Sequence, residues 1–416
     1  MVEMLNWLKW LNDIRRRGGP VVLPYYMFRM FKRFCIALCL TSVVFVFGCK
    51  PAGTKSDQLS ENQFQFSDSS LYQPRYARGY RWEPGADGLT LVLTDPWNPG
   101  TVFARYRLLD AGSKSLAKSG VNDIFIPSER LAVSSTTHAG FLSAIGAGDN
   151  LIGCSNPDRL YDSVLYQRYL SGSLSTIGRD LELNMEYLVA QKPSLVMQSG
   201  IEGQFNPDPR LGELGIPVLY ILEWMESTPL GRAEWIRVFG VITGHLREAD
   251  SVFNLVEKEY NRLSALGRAS EDQPVVFMGN NFKGTWYMPG GLNYLAFLFK
   301  DAGMDYPWKD VRQSASLALN FETVVNRVAD APLWVGAPAD SLSQLLAEEE
   351  RYTVFRAVRE KRVYTLTNRL NDHGGNDYWE SGVVRPDRIL ADLLYIGHPE
   401  LVPGHSWTYY KPLIFN

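Results

Sequence analysis

The chain has 416 residues, 45% of them apolar and 21% charged, which is enough for two domains with cores of their own and argues against intrinsic disorder along its length. Its formal charge of −3 is unevenly spread: residues 1–48 hold seven basic side chains against Glu3 and Asp13, and the rest, with 35 basic and 43 acidic residues, carries −8. A net-acidic body argues against nucleic acid as the main partner, because phosphate contacts need a basic surface.

The first element in chain order is a signal-like segment. Arg29, Lys32 and Arg33 precede an apolar run from Phe34 to Phe47, followed by Gly48 and Cys49. The run is shorter than the roughly 20 residues of a membrane-spanning helix, and a basic start with a short apolar centre reads as an export signal. A small residue before cysteine resembles the lipobox of bacterial lipoproteins, which implies lipidation at Cys49. Phe47 is bulkier than the usual residue there, and an uncleaved membrane anchor is the alternative. Residues 1–26 read as an upstream extension, since a signal could begin at Met27 or Met30. Of the four cysteines only Cys154 falls in the body, so neither an internal disulfide nor a cysteine-rich metal site is expected there, and Cys154 reads as a buried small hydrophobe. Residues 49–77 begin with the lipid site and continue as a polar, small-residue tether.

Next, alternating runs at 89–93 and 102–108 with Pro/Gly turns predict an antiparallel hairpin. From Arg130 the rhythm changes. Short apolar strands at 131–135, 151–155, 194–199 and 217–222 alternate with helices at 138–149, 184–192 and 205–215, the pattern of a parallel sheet covered on both faces. Residues 230–266 carry a helical apolar period without proline, predicting a helix of about 35 residues, roughly 50 Å long, which Gly240 and Gly244 would bend or divide. The strand–helix rhythm then returns, with strands at 274–279, 332–337 and 362–367 and helices at 290–303, 320–331, 341–358 and 385–397. The chain therefore divides into a signal region (1–48), lipid site and tether (49–77), an N-terminal lobe with the added hairpin (78–229), a bridging helix (230–267) and a C-terminal lobe (268–416).

The two halves share one local pattern. "LNME" at 183–186 and "LNFE" at 319–322 each place an N-capping asparagine two residues before a glutamate at a helix start. Alone, this is ordinary helix capping.

The ordered set of "ERLAVSSTTHAGFLSAIGAGDNLIGCSN", "NMEYLVAQKPSLVM", "LGELGIPVLYI", the long helix, "GGLNYLAFLFKDAG", "LNFETVV", "RVYTL" and "RPDRILADLLYIGHPEL" resembles the periplasmic binding proteins that deliver iron–siderophore, haem or cobalamin to ABC importers, over about residues 128–402. The resemblance implies an α/β fold of two lobes with central, mostly parallel sheets, joined by a rigid backbone helix, the hairpin being an addition. It implies ligand held between the lobes, and it assigns Glu186 and Glu322 the matching places of two glutamates that dock on arginines of a dimeric permease.

In open α/β sheets the ligand loops lie at the C-terminal ends of strands. The candidates are Ser135, Thr136, Thr137 and His138 after the first strand, Trp224, then Asn281, Trp286 and Tyr287 in a glycine-rich aromatic loop, and Trp379 with Arg385 near the end. Loop aromatics suit stacking on a large flat ligand, and Arg385 or Arg369 would pair with anionic oxygens. Sequence motifs for hydrolases, metalloproteases, phosphate loops or dinucleotide sites are absent, and five scattered histidines make no spaced metal cluster. The expected role is capture of a metal chelate without chemistry and without a cofactor, with an ABC permease dimer and a membrane as partners. The alternatives are a cobalamin or haem binder of the same family, a scavenger or sensor without a permease, and a metal-dependent hydrolase using Asp372 and His373.

Overall fold

The computed structural model describes residues 73–85, 88–113, 120, 122–179, 182–203 and 208–415. The signal region, Cys49 and the tether up to residue 72 lie outside the described residues.

Strands Leu131–Val133, Leu151–Cys154, Ser175–Thr176, Leu195–Ser199 and Val218–Ile221 form one parallel sheet, with Leu131–Val133 at its centre and Val218–Ile221 at one edge. Most of their side chains are buried, as a sheet covered on both faces requires, the edge strand Ser175–Thr176 being half-buried. This is the N-terminal lobe. In the C-terminal lobe Val276–Met278, Leu333–Ala337 and Val363–Thr365 run parallel, and Lys411–Pro412 closes the edge antiparallel.

The added unit is larger than a hairpin. Tyr80–Gly85, Gly88–Thr94 and Val102–Asp110 pair antiparallel, and Asp123–Ile126 joins the last of them in parallel, making four strands. A second unforeseen sheet, Asn281–Phe282, Thr285–Pro289 and Ser316–Leu319, fills the region expected to be a loop at 279–291. Both runs are rich in glycine and aromatics, and only the strand Ser316–Leu319 pairs with a partner distant in sequence.

The single helix expected over 230–266 is corrected. It is three helices, Pro229–Glu234, Ile236–Thr243 and Leu246–Arg268. Gly244, at φ 77°, adopts the left-handed conformation open to glycine and ends the second helix. The chain then doubles back: a methyl on Gly240 would sit 2.6 Å from Ala249 Cβ, and Arg237 reaches Asp250 at 2.8 Å. The bridge is therefore Leu246–Arg268 alone, about 34 Å at 1.5 Å per residue. Ala249 and Phe253 on its first half belong to the N-terminal core, and Val256, Tyr260 and Leu263 on its second half to the C-terminal core.

Two buried carboxylates stitch the N-terminal end of the described body to this junction. Glu234 accepts from the backbone N–H groups of Arg75, Tyr76 and Ala77 and from Arg237. Glu226 accepts from the N–H groups of Arg78 and Gly79 and from the Trp235 indole. Five backbone donors are satisfied by two side chains, so residues 75–79 lie fixed beside the bridge.

Candidate functional site

The two LN-x-E helix starts are built alike. Asn184 caps Met185–Gln191, its side chain accepting from Tyr187 N–H at 3.1 Å, and Asn320 caps Phe321–Val328, accepting from Thr323 N–H at 2.8 Å. Leu188 anchors the first helix in the N-terminal core, and Phe321, Val324 and Val328 anchor the second in the C-terminal core. Glu186 and Glu322 are thereby left exposed in the first turn, one on each lobe. They differ in one respect. Glu322 meets Arg351 at 3.3 Å, while Arg351 is held more closely by Glu349 at 2.7 Å and lies over the Phe321 ring. The Arg351 hydrogen bonds hold the Glu349 carboxyl down to about 2.

The candidate ligand residues fall into three groups. Ser135 caps the helix Thr136–Ala144 through Thr137 N–H, and both Ser135 and Thr136 stay half-buried. Thr137 donates its hydroxyl to the Trp379 carbonyl at 2.7 Å, which brings the first and last candidate loops together across the lobe junction. Trp379 itself is 48% exposed and edge-on to Tyr378. Trp224 is also exposed, with its indole N–H on the Gly200 carbonyl and its ring beside Trp97 of the added sheet. Tyr287 is exposed on the strand Thr285–Pro289, where alternation turns its neighbour the other way.

That neighbour, Trp286, is fully buried and is a core residue, correcting its place among ligand contacts. It packs with Trp334, Tyr352 and Phe355, and its indole N–H donates to Met278 O at 2.8 Å. Trp286→Phe is expected to lower stability by about 1–2 kcal/mol, through a lost hydrogen bond and a smaller ring, and to leave chelate affinity unchanged; urea unfolding beside a binding titration reads both. Asn281 is half-buried and committed, its backbone N–H to the Tyr352 hydroxyl and its amide to Glu349.

His138 is likewise corrected to a core position. Its ring is sealed from solvent, neither nitrogen has a hydrogen-bond partner, and Glu223 lies 3.9 Å away. Burial lowers its pKa against the opposing charge of Glu223, so the ring is neutral at pH 7. Arg385 is taken by Asp387 through two hydrogen bonds of 2.9 and 2.6 Å, and Arg369 by Asp377 at 2.5 Å. Both guanidiniums are thus already paired with a carboxylate of this chain, Arg385 through two nitrogens and Arg369 through its Nε. His373 stacks on Tyr166 with centroids 3.8 Å apart, and among the described residues no group of three His, Cys, Asp or Glu side chains could hold a metal.

Residues 369–384 strap the C-terminal lobe to the N-terminal one. Asn371 donates to Leu160 O, and the Glu380 carboxylate accepts from the N–H groups of Tyr161 and Asp162, each at 2.8 Å. Gly140 is required by this contact, since a methyl there would stand 2.5 Å from Glu380 O. Beneath the strap lies a small cavity of ≈10 Å³, room for about one water, lined by Tyr294, Tyr378 and Trp379 among others and by one charged side chain, Arg232. Arg232 and Glu380 were not singled out by the sequence. Glu380 had a local signal, a carboxylate amid the apolar and aromatic "DYWESGVV"; Arg232, in "PLGRAEW", had none.

Residues 131–370 match the periplasmic binding protein family. An uncharacterized lipoprotein of Methanocaldococcus jannaschii is 27% identical over 312 residues, 71% of this chain and 72% of the relative. Among solved structures, a possible iron-binding, periplasmic solute-binding protein of Staphylococcus epidermidis superposes with a TM-score of 0.51 at 17% identity, over 65% of this chain and 99% of the other. A periplasmic heme-binding protein of Pseudomonas aeruginosa gives 0.51 at 18%, over 68% and 98%. At such identities the likeness is one of fold. The four-stranded sheet at 80–126 lies before the matched span.

Proposed function

The chain belongs to the periplasmic binding protein family, and from that premise we propose that it is an exported, lipid-anchored protein that captures an iron-siderophore-type chelate between its lobes and delivers it to the permease dimer of an ABC importer. The observation that carries this reading is the pair of identically capped helix starts, each fixed in a different lobe and each presenting one exposed glutamate. Two carboxylates held at a set separation by one bridging helix can be read by two symmetry-related arginine sites, which fixes orientation as well as contact. The reading treats the protein as a carrier and not as an enzyme, with Cys49 as its lipid site and residues 50–72 as a spacer.

On the ligand side, exposed Trp379, Trp224 and Tyr287 suit flat aryl or macrocyclic bodies. Ser135 and Thr136 offer hydroxyls beside Trp379. Haem is the second reading, favoured by these same rings and by the heme-binding protein of similar fold. A tryptophan-quenching titration of the chain against ferric siderophores, haem and cobalamin tests the proposal. Saturable binding of one class at micromolar concentration or below is expected; binding of none would sink it.

A further inference from the structure

We propose that the added four-stranded sheet is a working part of the ligand site: it carries Trp97 to the rim of the N-terminal lobe, where Trp97 and Trp224 form a corner for an aryl group of the ligand. This rests on the reading of the protein as a solute binder, and it concerns a residue that lies before the matched family span of 131–370. Trp224 follows the strand Val218–Ile221, and its indole N–H donates to the carbonyl of Gly200, which follows the strand Leu195–Ser199. It therefore stands at the C-terminal edge of the sheet, where open α/β folds take their ligands. Its ring is 40% exposed, which leaves a face for one.

The loop 95–101 of the added sheet reaches the same edge. Phe103, just past it, is edge-on to Tyr220 at 5.4 Å and lies beside Gly200, its Cζ 3.6 Å from where a Gly200 Cβ would stand. Trp97 is 5.9 Å from Phe103 and 6.2 Å from Trp224 between ring centroids, the two indoles inclined at 57°. The row runs from core to surface: Tyr220 is buried, Phe103 and Trp97 are half-buried, and Trp224 is exposed. The loop is also built to hold its shape. Asp95, itself buried, accepts from the N–H groups of Trp97 and Asn98 at 2.9 and 3.0 Å and from the Asn98 amide at 3.0 Å. Asp95 N–H donates to Thr101 O, and Thr101 N–H to Asn98 O, which closes the turn. A tip fixed in this way presents its indole without the entropy cost of ordering a free loop on binding. Two inclined indoles suit an aryl ring, which stacks offset on one and meets the other edge-on, the two arrangements that aromatic pairs prefer.

The test uses the full chain in detergent, labelled with fluorotryptophan, and follows its fluorine resonances as free catechol is added. Calorimetric titrations run beside it with ferric enterobactin, whose arms are catechol rings, and with ferrioxamine B, which has no aromatic ring. Trp97→Phe and Trp224→Phe assign the two resonances. Both are expected to shift along one saturation curve with catechol, while those of the buried Trp286 and Trp334 stay in place. Trp97→Leu should bind the catechol chelate about threefold to tenfold more weakly than native does, and Trp97→Phe should recover most of that loss. The aliphatic chelate should bind native and Trp97→Leu alike. Asp95→Ala, which frees the loop, should weaken the catechol chelate in the native chain and do nothing further in Trp97→Leu, because Asp95 is a positioning residue that acts through Trp97. Should Trp97→Leu fail to fold, the Trp97 resonance of the native chain decides. A Trp97 resonance unmoved by catechol, or a catechol chelate bound equally by native and Trp97→Leu, overturns the corner, and the carrier reading stands wherever a chelate still binds. A catechol response at both tryptophans in a chain that binds no chelate supports the corner and sinks the carrier reading.

Discussion

Reversing the charge at both docking positions, Glu186→Arg with Glu322→Arg, is expected to abolish chelate uptake by cells while affinity of the free protein stays within about twofold, since rim charges govern docking and not the distant cleft. Both side chains project from first turns whose caps are asparagines and whose anchors are Leu188 on one lobe and Phe321, Val324 and Val328 on the other, so neither substitution removes a cap or a core contact. The single variants should differ. Glu186 stands exposed at its helix start, whereas Glu322 shares Arg351, which is already bound to Glu349 and stacked on Phe321 at 4.1 Å. Arginine at 322 would therefore repel Arg351 locally, and Glu322→Gln is the control that removes the carboxylate without that repulsion. An exposed pair of this kind contributes no more than about 1 kcal/mol, so a permease arginine can displace Arg351 at little cost. Parallel loss of uptake and of affinity in the double variant would mean that the pair supports the cleft, and the docking proposal would fall.

What could be read in the sequence follows from how local each signal is. The strands at 131–133, 195–199, 218–221 and 333–337 were legible because a sheet buried on both faces writes continuous apolar runs, and the caps at Asn184 and Asn320 because a cap needs only its own helix start. The hairpin at 88–110 was legible for the same reason, while its neighbour Asp123–Ile126, paired in parallel, had no turn to announce it. Gly244 marked in the sequence where the helical stretch could divide, but an apolar period that continues across it did not tell that the chain folds back there, which the packing of Gly240 on Ala249 shows. A period says which face is apolar and is silent on what that face meets.

The site divides along the same line. Aromatics were sought on loops at strand ends, yet nothing in "GTWYMP" tells that Trp286 and Tyr287 lie on a strand or which of them turns inward, because both neighbours of a strand position are apolar or aromatic there. His138 lies in a Ser/Thr-rich stretch that reads as solvent-facing, and its helix, Thr136–Ala144, is buried from Thr137 to Leu142. Arg385 looked available until Asp387, two residues on, was seen to close on it.

Glu380 is expected to produce the largest stability effect at the lobe junction and to make it pH-dependent. Its carboxylate, 3% exposed, takes the N–H groups of Tyr161 and Asp162 from the opposite lobe, while its backbone presses on Gly140. Glu380→Ala leaves both donors without an acceptor and opens a space between the lobes, which should cost about 2–4 kcal/mol. The titration runs in a definite direction. Burial pushes the Glu380 carboxyl up to about 7, the two N–H donors oppose it, and the charges of Asp377 and Asp162 add to it. In the unfolded chain the same group titrates near its ordinary 4.5. Between those values the folded protein holds the extra proton, so the contribution of Glu380 is fully present below pH 4.5 and is lost as pH rises through 7, by about 3 kcal/mol across the window. Glu380→Gln cannot titrate and should lack that component, keeping a flatter profile even where its absolute stability is lower. Urea unfolding of native and Glu380→Gln chains from pH 4.5 to 8 gives the difference directly, with Asp377 and Asp162 common to both. Parallel profiles would show that the strap holds Glu380 in one charge state throughout, and that the lobe junction does not respond to pH through this residue.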